Sequence, residues 1–202
     1  MKGFALSEPR RKGNQAHTQE VRVSILKAAF SVFSHGGFNG SSLKQVAAKV
    51  GISEAGLLHH FNSKVALLNA VLEYRDNVSA EVAETAIRKG LAFPLDWYQV
   101  IANTAKNPDV IMFFAVMSAE ATNPDHPAHS YFKDRYLRVT NVLAEGFAGM
   151  REAGQIAPEI DPEKAAKTLI AISDGLQVQW LLNKNVDLLQ GQKDYISLLS
   201  AR

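Results

Sequence analysis

From Gln19 onward the chain settles into a repeat. Val21, Ile25, Ala28/Ala29 and Val32/Phe33 recur at three- and four-residue intervals, the period of a helix with one apolar face. The HGGF run at 35–38 ends it, because paired glycines favour a left-handed C-cap. A short helix then opens at SSLKQVAAK, where Ser42 stands three residues before Gln45, the signature of a capping box. Gly51 breaks that helix, and Ser53 is a suitable N-cap for the next, EAGLLHHF. Asn62 or Ser63 caps a long helix from Lys64 to about Lys89, with Val65, Leu68, Val71/Leu72 and Val78 on its apolar side. Pro94 to about Lys106 reads as a short helix. Asn107 and Pro108 then form a cap and first turn. The following VIMFFAVMSAEA is apolar on nearly every face, so this helix is expected to be buried almost all round. Phe132, Tyr136, Val139, Leu143, Phe147 and Met150 make one stripe over 131–152. Asp161 and Pro162 start another long helix, and a last one covers about 186–200. Strand alternation and internal repeats are absent, so the predicted fold class is all-α.

Residues 1–18 are polar and without period, and are expected to form a disordered basic arm. The rest divides into a helix-turn-helix domain over 19–64 and a helical domain for ligand binding and dimerisation over 65–202. Residues 1–64 carry nine Lys/Arg against three Glu, a net +6, and the remainder carries thirteen against seventeen, a net −4. A basic front and an acidic back suggest that the front meets a polyanion. There is no cysteine, which excludes disulfides, thiolate metal sites and a Cys nucleophile. The absence of a signal-like start and of any run of about 18 apolar residues predicts a cytoplasmic protein with no membrane partner.

Two short helices separated by a glycine turn, after a longer helix, are a helix-turn-helix candidate. Ala47 is small where the two helices cross, Gly51 allows the tight turn, and Val46, Val50, Ile52 and Leu57 supply a shared core. In such a unit the second helix lies in the major groove with its N-terminal residues facing base edges.

At this point the chain resembles the DNA-binding domain of the tetracycline-repressor (TetR) family of bacterial transcription factors. The resemblance covers residues 19–72, through ILKAAFSVFSHGGFNGSSLKQVAAKVGIS and LLHHFNSKVALLNAVL. The back half agrees only in layout. The resemblance implies that Ser42 and Lys44 touch phosphate and that Glu54, Ala55 and Gly56, after the cap Ser53, face bases. It further implies that His60 contacts phosphate or base and that Lys64 contacts phosphate at a helix N-terminus. Leu58 departs from the pattern, standing where the family usually has a Tyr, and so offers apolar contact without a hydroxyl.

Adjacent helical residues point about 100° apart, so His59 and His60 do not readily chelate one ion. His60 is read as a DNA contact and His59 as a surface or packing residue. His126 and His129 of DHPAH, with Asp125 or Glu120, have a spacing that a metal can use. The preferred reading is a helix begun at Pro127 and capped by Asp125 or His126, so no metal and no cofactor are expected. Phosphate loops, nucleophile elbows and HExxH motifs do not occur, which argues against an enzyme.

Phe113, Phe114 and Met117 share a side of the apolar helix, and Trp97, Phe132 and Tyr136 come from its neighbours. Together they are expected to line a pocket for a small apolar or amphipathic effector. Glu120 is expected at the pocket edge as a polar anchor, the alternative being solvent or an ion pair with Arg135 or Arg138. The helices from Asp161 and from about Val186 are expected to build a homodimer, through Gly175, Gln177 and Leu181. Trp180 fits either the pocket or that interface. The reading is a ligand-responsive repressor binding a pseudo-palindromic double-stranded DNA operator as a dimer. The rival is a helical enzyme or small-molecule carrier using the apolar pocket.

Overall fold

A computed structural model describes residues 10–200, with side chains from residue 17 onward. Among the described residues there are nine helices and no strand, only one isolated bridge between Ile156 and Ser200. They are α1 (Arg10–Gly36), α2 (Leu43–Val50), α3 (Glu54–His60), α4 (Lys64–Arg88), α5 (Leu95–Ala105), α6 (Pro108–Glu120), α7 (His129–Glu152), α8 (Pro162–Leu182) and α9 (Gln190–Leu198).

The local signals act as the side chains dictate. Ser42 Oγ accepts from the Gln45 N–H at 3.2 Å, and Gln45 Oε1 accepts from the Ser42 N–H at 2.7 Å, closing the capping box. Gly51 sits at φ 83°, and its N–H reaches the Ala47 carbonyl at 3.0 Å. Asp161 caps α8 through bonds from the N–H groups of Glu163 and Lys164.

Four expectations change. The helix α1 begins at Arg10, inside the segment expected to be a disordered arm, and residues 1–9 lie outside the described ones. Arg, Lys, Gln and Ala are good helix formers, so the helix extends without an apolar stripe to announce it. Pro127 does not start α7, which opens at His129 after Ala128 with no side-chain cap. The last helix is shorter than expected, because Asp187 caps the preceding turn through the N–H groups of Leu189 and Gln190. On α4, Val65 and Val78 are exposed, and the buried stripe runs Leu68, Val71/Leu72 and then Arg75.

Packing joins the first four helices to the middle of the chain. The largest core cluster takes Ile25, Ala29 and Phe33 from α1, Val46 and Leu57 from the helix-turn-helix, Leu68 and Leu72 from α4, and Phe113 and Met117 from α6. A second cluster lies between α7 and α8 around Leu143, Phe147 and Leu169. A third, around Ile101, Ile111 and Leu188, takes in Trp97, Trp180 and Leu181.

Candidate DNA interface and effector region

The seven-residue helix α3 is anchored by one side chain. Leu57 is fully buried in the core, while Glu54, Ala55, Leu58 and His59 are exposed. Ser53 Oγ accepts from the Gly56 N–H at 3.0 Å, so Gly56 serves the N-cap. Ser42 and Lys44, at the start of α2, are exposed, while His60 and Lys64 are half-buried. The His60 carbonyl accepts from Arg22 Nη1 at 2.9 Å, and the Arg22 guanidinium lies 4.1 Å from the Phe61 ring centre. Arg22 thus ties α1 to the end of α3, a contact 38 residues apart that no local pattern announces. The His59 and His60 rings meet edge to face, 5.8 Å apart. Lys64 places its ammonium 4.3 Å from the Phe38 ring centre, and desolvation lowers its pKa, opposed by the charge of Glu120.

Of the seven residues expected to line one pocket, Phe113, Phe114, Met117 and Phe132 share the largest core cluster, while Trp97, Glu120 and Tyr136 lie outside it. Phe113 and Met117 are fully buried against the reading head, with Phe113 stacked on Phe30 of α1 at 4.6 Å. They fill the joint between domains, because a helix apolar on all sides does not reveal which side meets which neighbour. Trp97 packs elsewhere and donates from Nε1 to Gln192 Oε1 at 2.7 Å. Among the described residues, Glu120 pairs with neither Arg135 nor Arg138. Its Oε2 accepts from the Phe38 N–H at 2.8 Å and lies 3.4 Å from Nε2 of the buried His126. The remaining three stay together: Phe114 meets Phe132 edge to face at 5.5 Å, and Phe132 lies 6.5 Å from Tyr136.

Beside that trio stands a basic cluster that no sequence pattern announces. Arg75 is only 9% exposed, yet among the described residues it has no salt-bridge partner. It bonds Ser79 through Nη1, and its buried Nε has no acceptor. The neighbouring Asp76 is taken by Arg135 at 2.8 Å and Arg138 at 3.2 Å. The Phe114 ring has the Arg75 guanidinium 5.1 Å away and the Arg135 guanidinium 4.4 Å away. Burial, followed by the nearby charge of Arg135, pushes Arg75 down to about 10, so it remains charged at neutral pH. A charge left unpaired in a protein interior costs on the order of 3–5 kcal/mol. Burial also raises the pKa of Tyr131 and Tyr136, both on α7, and the Tyr136 hydroxyl donates to Asp174 Oδ2 at 2.7 Å.

Among the described residues, no three His, Asp or Glu come together as a metal site. His129 bonds the Ala121 carbonyl through Nδ1 at 2.8 Å, and His126 Nδ1 accepts from the Ala128 N–H at 3.2 Å. No described helix is long and apolar enough to cross a membrane. On α8, Leu181 and Trp180 pack within their own chain, and Gln177 donates to Ser173 Oγ at 3.4 Å. Gly175 faces open space. Ala171, Val178 and Leu182 are exposed on the same stripe, Leu182 by 85%. Leu137, Thr140, Ile170 and Ala171 border a groove of about 560 Å³ between α7 and α8.

Two family models match the chain. Residues 25–71 match the bacterial regulatory proteins of the TetR family, and residues 99–194 match the C-terminal part of BetI-type transcriptional repressors. The HTH-type transcriptional regulator UidR of Escherichia coli is 26% identical over 165 residues, which span 80% of this chain and 82% of that protein. The HTH-type transcriptional regulator TtgR of Pseudomonas putida is 25% identical over 183 residues, 85% of each. A crystal structure of a TetR-family transcriptional regulator from Agrobacterium tumefaciens superposes with a TM-score of 0.77 at 19% identity, covering 91% of this chain and all of that one.

Proposed function

The chain belongs to the TetR family of bacterial transcriptional regulators, and from that premise we propose that it represses transcription by holding a pseudo-palindromic operator as a homodimer. It is a ligand-responsive DNA-binding regulator and not an enzyme. The observation that carries the operator reading is α3, a helix seated by Leu57 alone, with Glu54, Ala55 and Leu58 facing outward. These three enter the major groove behind the Ser53 cap, and Gly56 keeps the backbone close to the base edges. Ser42, Lys44, His60 and Lys64 hold the flanking phosphates. Leu58, with no hydroxyl, contacts a thymine methyl.

Two copies meet across the α8 stripe of Ala171, Gly175, Val178 and Leu182, with Leu137 of α7 at its edge, and set two α3 helices roughly 34–36 Å apart. A small amphipathic effector enters beside Phe114, Phe132 and Tyr136 and shifts α4 and α6. Those helices share a core with α1, so the heads leave the spacing that the operator needs. A preference of about 5.5 kcal/mol for the released state carries a full switch. The test is selection of binding sites from random duplex DNA by the full-length protein. The expected result is an inverted repeat with half-sites one turn apart, lost on replacing the protein with Leu57→Ala. Recovery of no sequence above background would overturn the operator reading.

A further inference from the structure

We propose that the effector is an amphipathic carboxylate whose head group docks on the free edge of Arg75, beside Arg135 and against Phe114. This rests on the effector-responsive reading above and names the ligand class for that site. Nη1 of Arg75 is engaged by Ser79, while Nε–H is buried and has no acceptor. The edge that Nε–H shares with Nη2 presents two donors at the spacing of the two oxygens of a carboxylate.

The charges point the same way. Arg75, Arg135 and Arg138 stand around Asp76, and that carboxylate already spans Arg135 and Arg138 at 2.8 and 3.2 Å. The next carboxyl, Asp174, receives the Tyr136 hydroxyl, and its burial favours the neutral form. Even with Asp174 ionised, three cations face two anions, a net +1 on these five groups. A cationic ligand would add to the repulsion between Arg75 and Arg135, and a neutral one would leave the Arg75 charge without a paired anion, since Asp76 is taken by Arg135 and Arg138. Phe114, flanked by the two guanidinium groups, and Phe132 at 5.5 Å supply an apolar wall for the rest of the molecule. The site touches α4 and α6. The first carries Lys64 at its start, and the second holds Phe38 through Glu120 at its end. A ligand here therefore presses on both helices that join the reading head.

The experiment titrates the full-length protein with octanoate and benzoate, each against its amide, and with inorganic phosphate. Binding is read by calorimetry and by the arginine Nε–H signals of a ¹H–¹⁵N spectrum, the Arg75 signal being assigned by its loss in Arg75→Lys. At least one carboxylate is expected to bind saturably and move the Arg75 signal, while its amide does neither. In Arg75→Lys and Arg75→Gln its affinity is expected to fall about tenfold or more, as on loss of a bidentate charge-assisted pair. The parent spectrum decides the matter even where a variant fails to fold. An Arg75 signal that no carboxylate moves, an amide that binds as tightly as its acid, or a response to phosphate alone would each overturn the proposal. Retention on the selected operator is measured on the same preparation. Loss of operator binding in the absence of any ligand counts against the regulatory reading itself. A carboxylate that occupies Arg75 without lowering operator affinity overturns its assignment as effector.

Discussion

The carboxylate of Glu120, in the last turn of α6, accepts a hydrogen bond from the backbone N–H of Phe38, 82 residues earlier in the chain. This bond crosses from the effector domain to the loop that follows α1. It is joined by the Phe30–Phe113 stack and by Ser34 Oγ donating to the Asp109 carbonyl at 3.1 Å. The face of α6 thus reports to the reading head along its whole length.

Removing that carboxylate leaves the Phe38 N–H without its acceptor. Glu120→Ala is expected to lower unfolding stability by about 1–3 kcal/mol, the cost of an unmet buried donor. Glu120→Gln keeps an acceptor oxygen and is expected to lose less. Urea titrations of the two variants beside the parent check this. Equal midpoints for all three would show that the bond contributes nothing.

The Glu120 bond to Phe38 and the buried Arg75 guanidinium both escape a local reading of the chain. Caps and turns are legible because Ser42 with Gln45, Gly51, Ser53 and Asp161 act within three or four residues of themselves. The apolar stripe of α4 is legible through Leu72, but its next place is taken by Arg75, and a charged residue reads as a surface position. α6 has no legible phase at all, since an apolar residue stands on every side and only the fold decides that Phe113 meets α1. The same limit separates Trp97 from Phe114.

Lys64 begins α4 with its ammonium over the Phe38 ring. In its proposed role as a phosphate contact it would act on every DNA sequence alike. Lys64→Ala is expected to weaken specific and non-specific binding together and to reduce the slope of log K against log salt by about one. Retention on operator and on unrelated duplex across a salt series measures both. A slope equal to the parent's would remove Lys64 from the interface.

Burial raises the pKa of Asp174, while the Tyr136 hydroxyl opposes that shift only in part. The folded chain therefore holds this proton where the unfolded chain has released it. The resulting stability is present below the ordinary carboxyl value of about 3.9 and is lost as pH rises through the higher folded value. Asp174→Asn keeps an acceptor for Tyr136 and cannot ionise. Its urea midpoint is expected to gain on the parent's as pH is raised from about 4 to 7. A difference independent of pH would count against the raised value.

Leu181 and Leu182 are neighbours on α8 with opposite surroundings, and they separate folding from assembly. Leu181 packs with Ile101, Ile111 and Leu188 inside its own chain, whereas Leu182 is 85% exposed on the stripe with Val178 and Ala171. Both offer the same side chain, so the same substitution tests both. Leu181→Arg forces a charge among apolar neighbours and is expected to cost several kcal/mol of stability, on the order of 3 or more. Leu182→Arg meets no neighbour in a lone subunit and is expected to leave the unfolding of the monomer within about 0.5 kcal/mol. In a dimer across α8 it brings two like charges to the two-fold axis, where they oppose association. Sedimentation of Leu182→Arg should therefore give a folded monomer that retains weak, salt-sensitive DNA binding but loses the selected operator. A Leu182→Arg protein that still sediments as a dimer, with operator affinity unchanged, would place the contact between subunits away from this stripe.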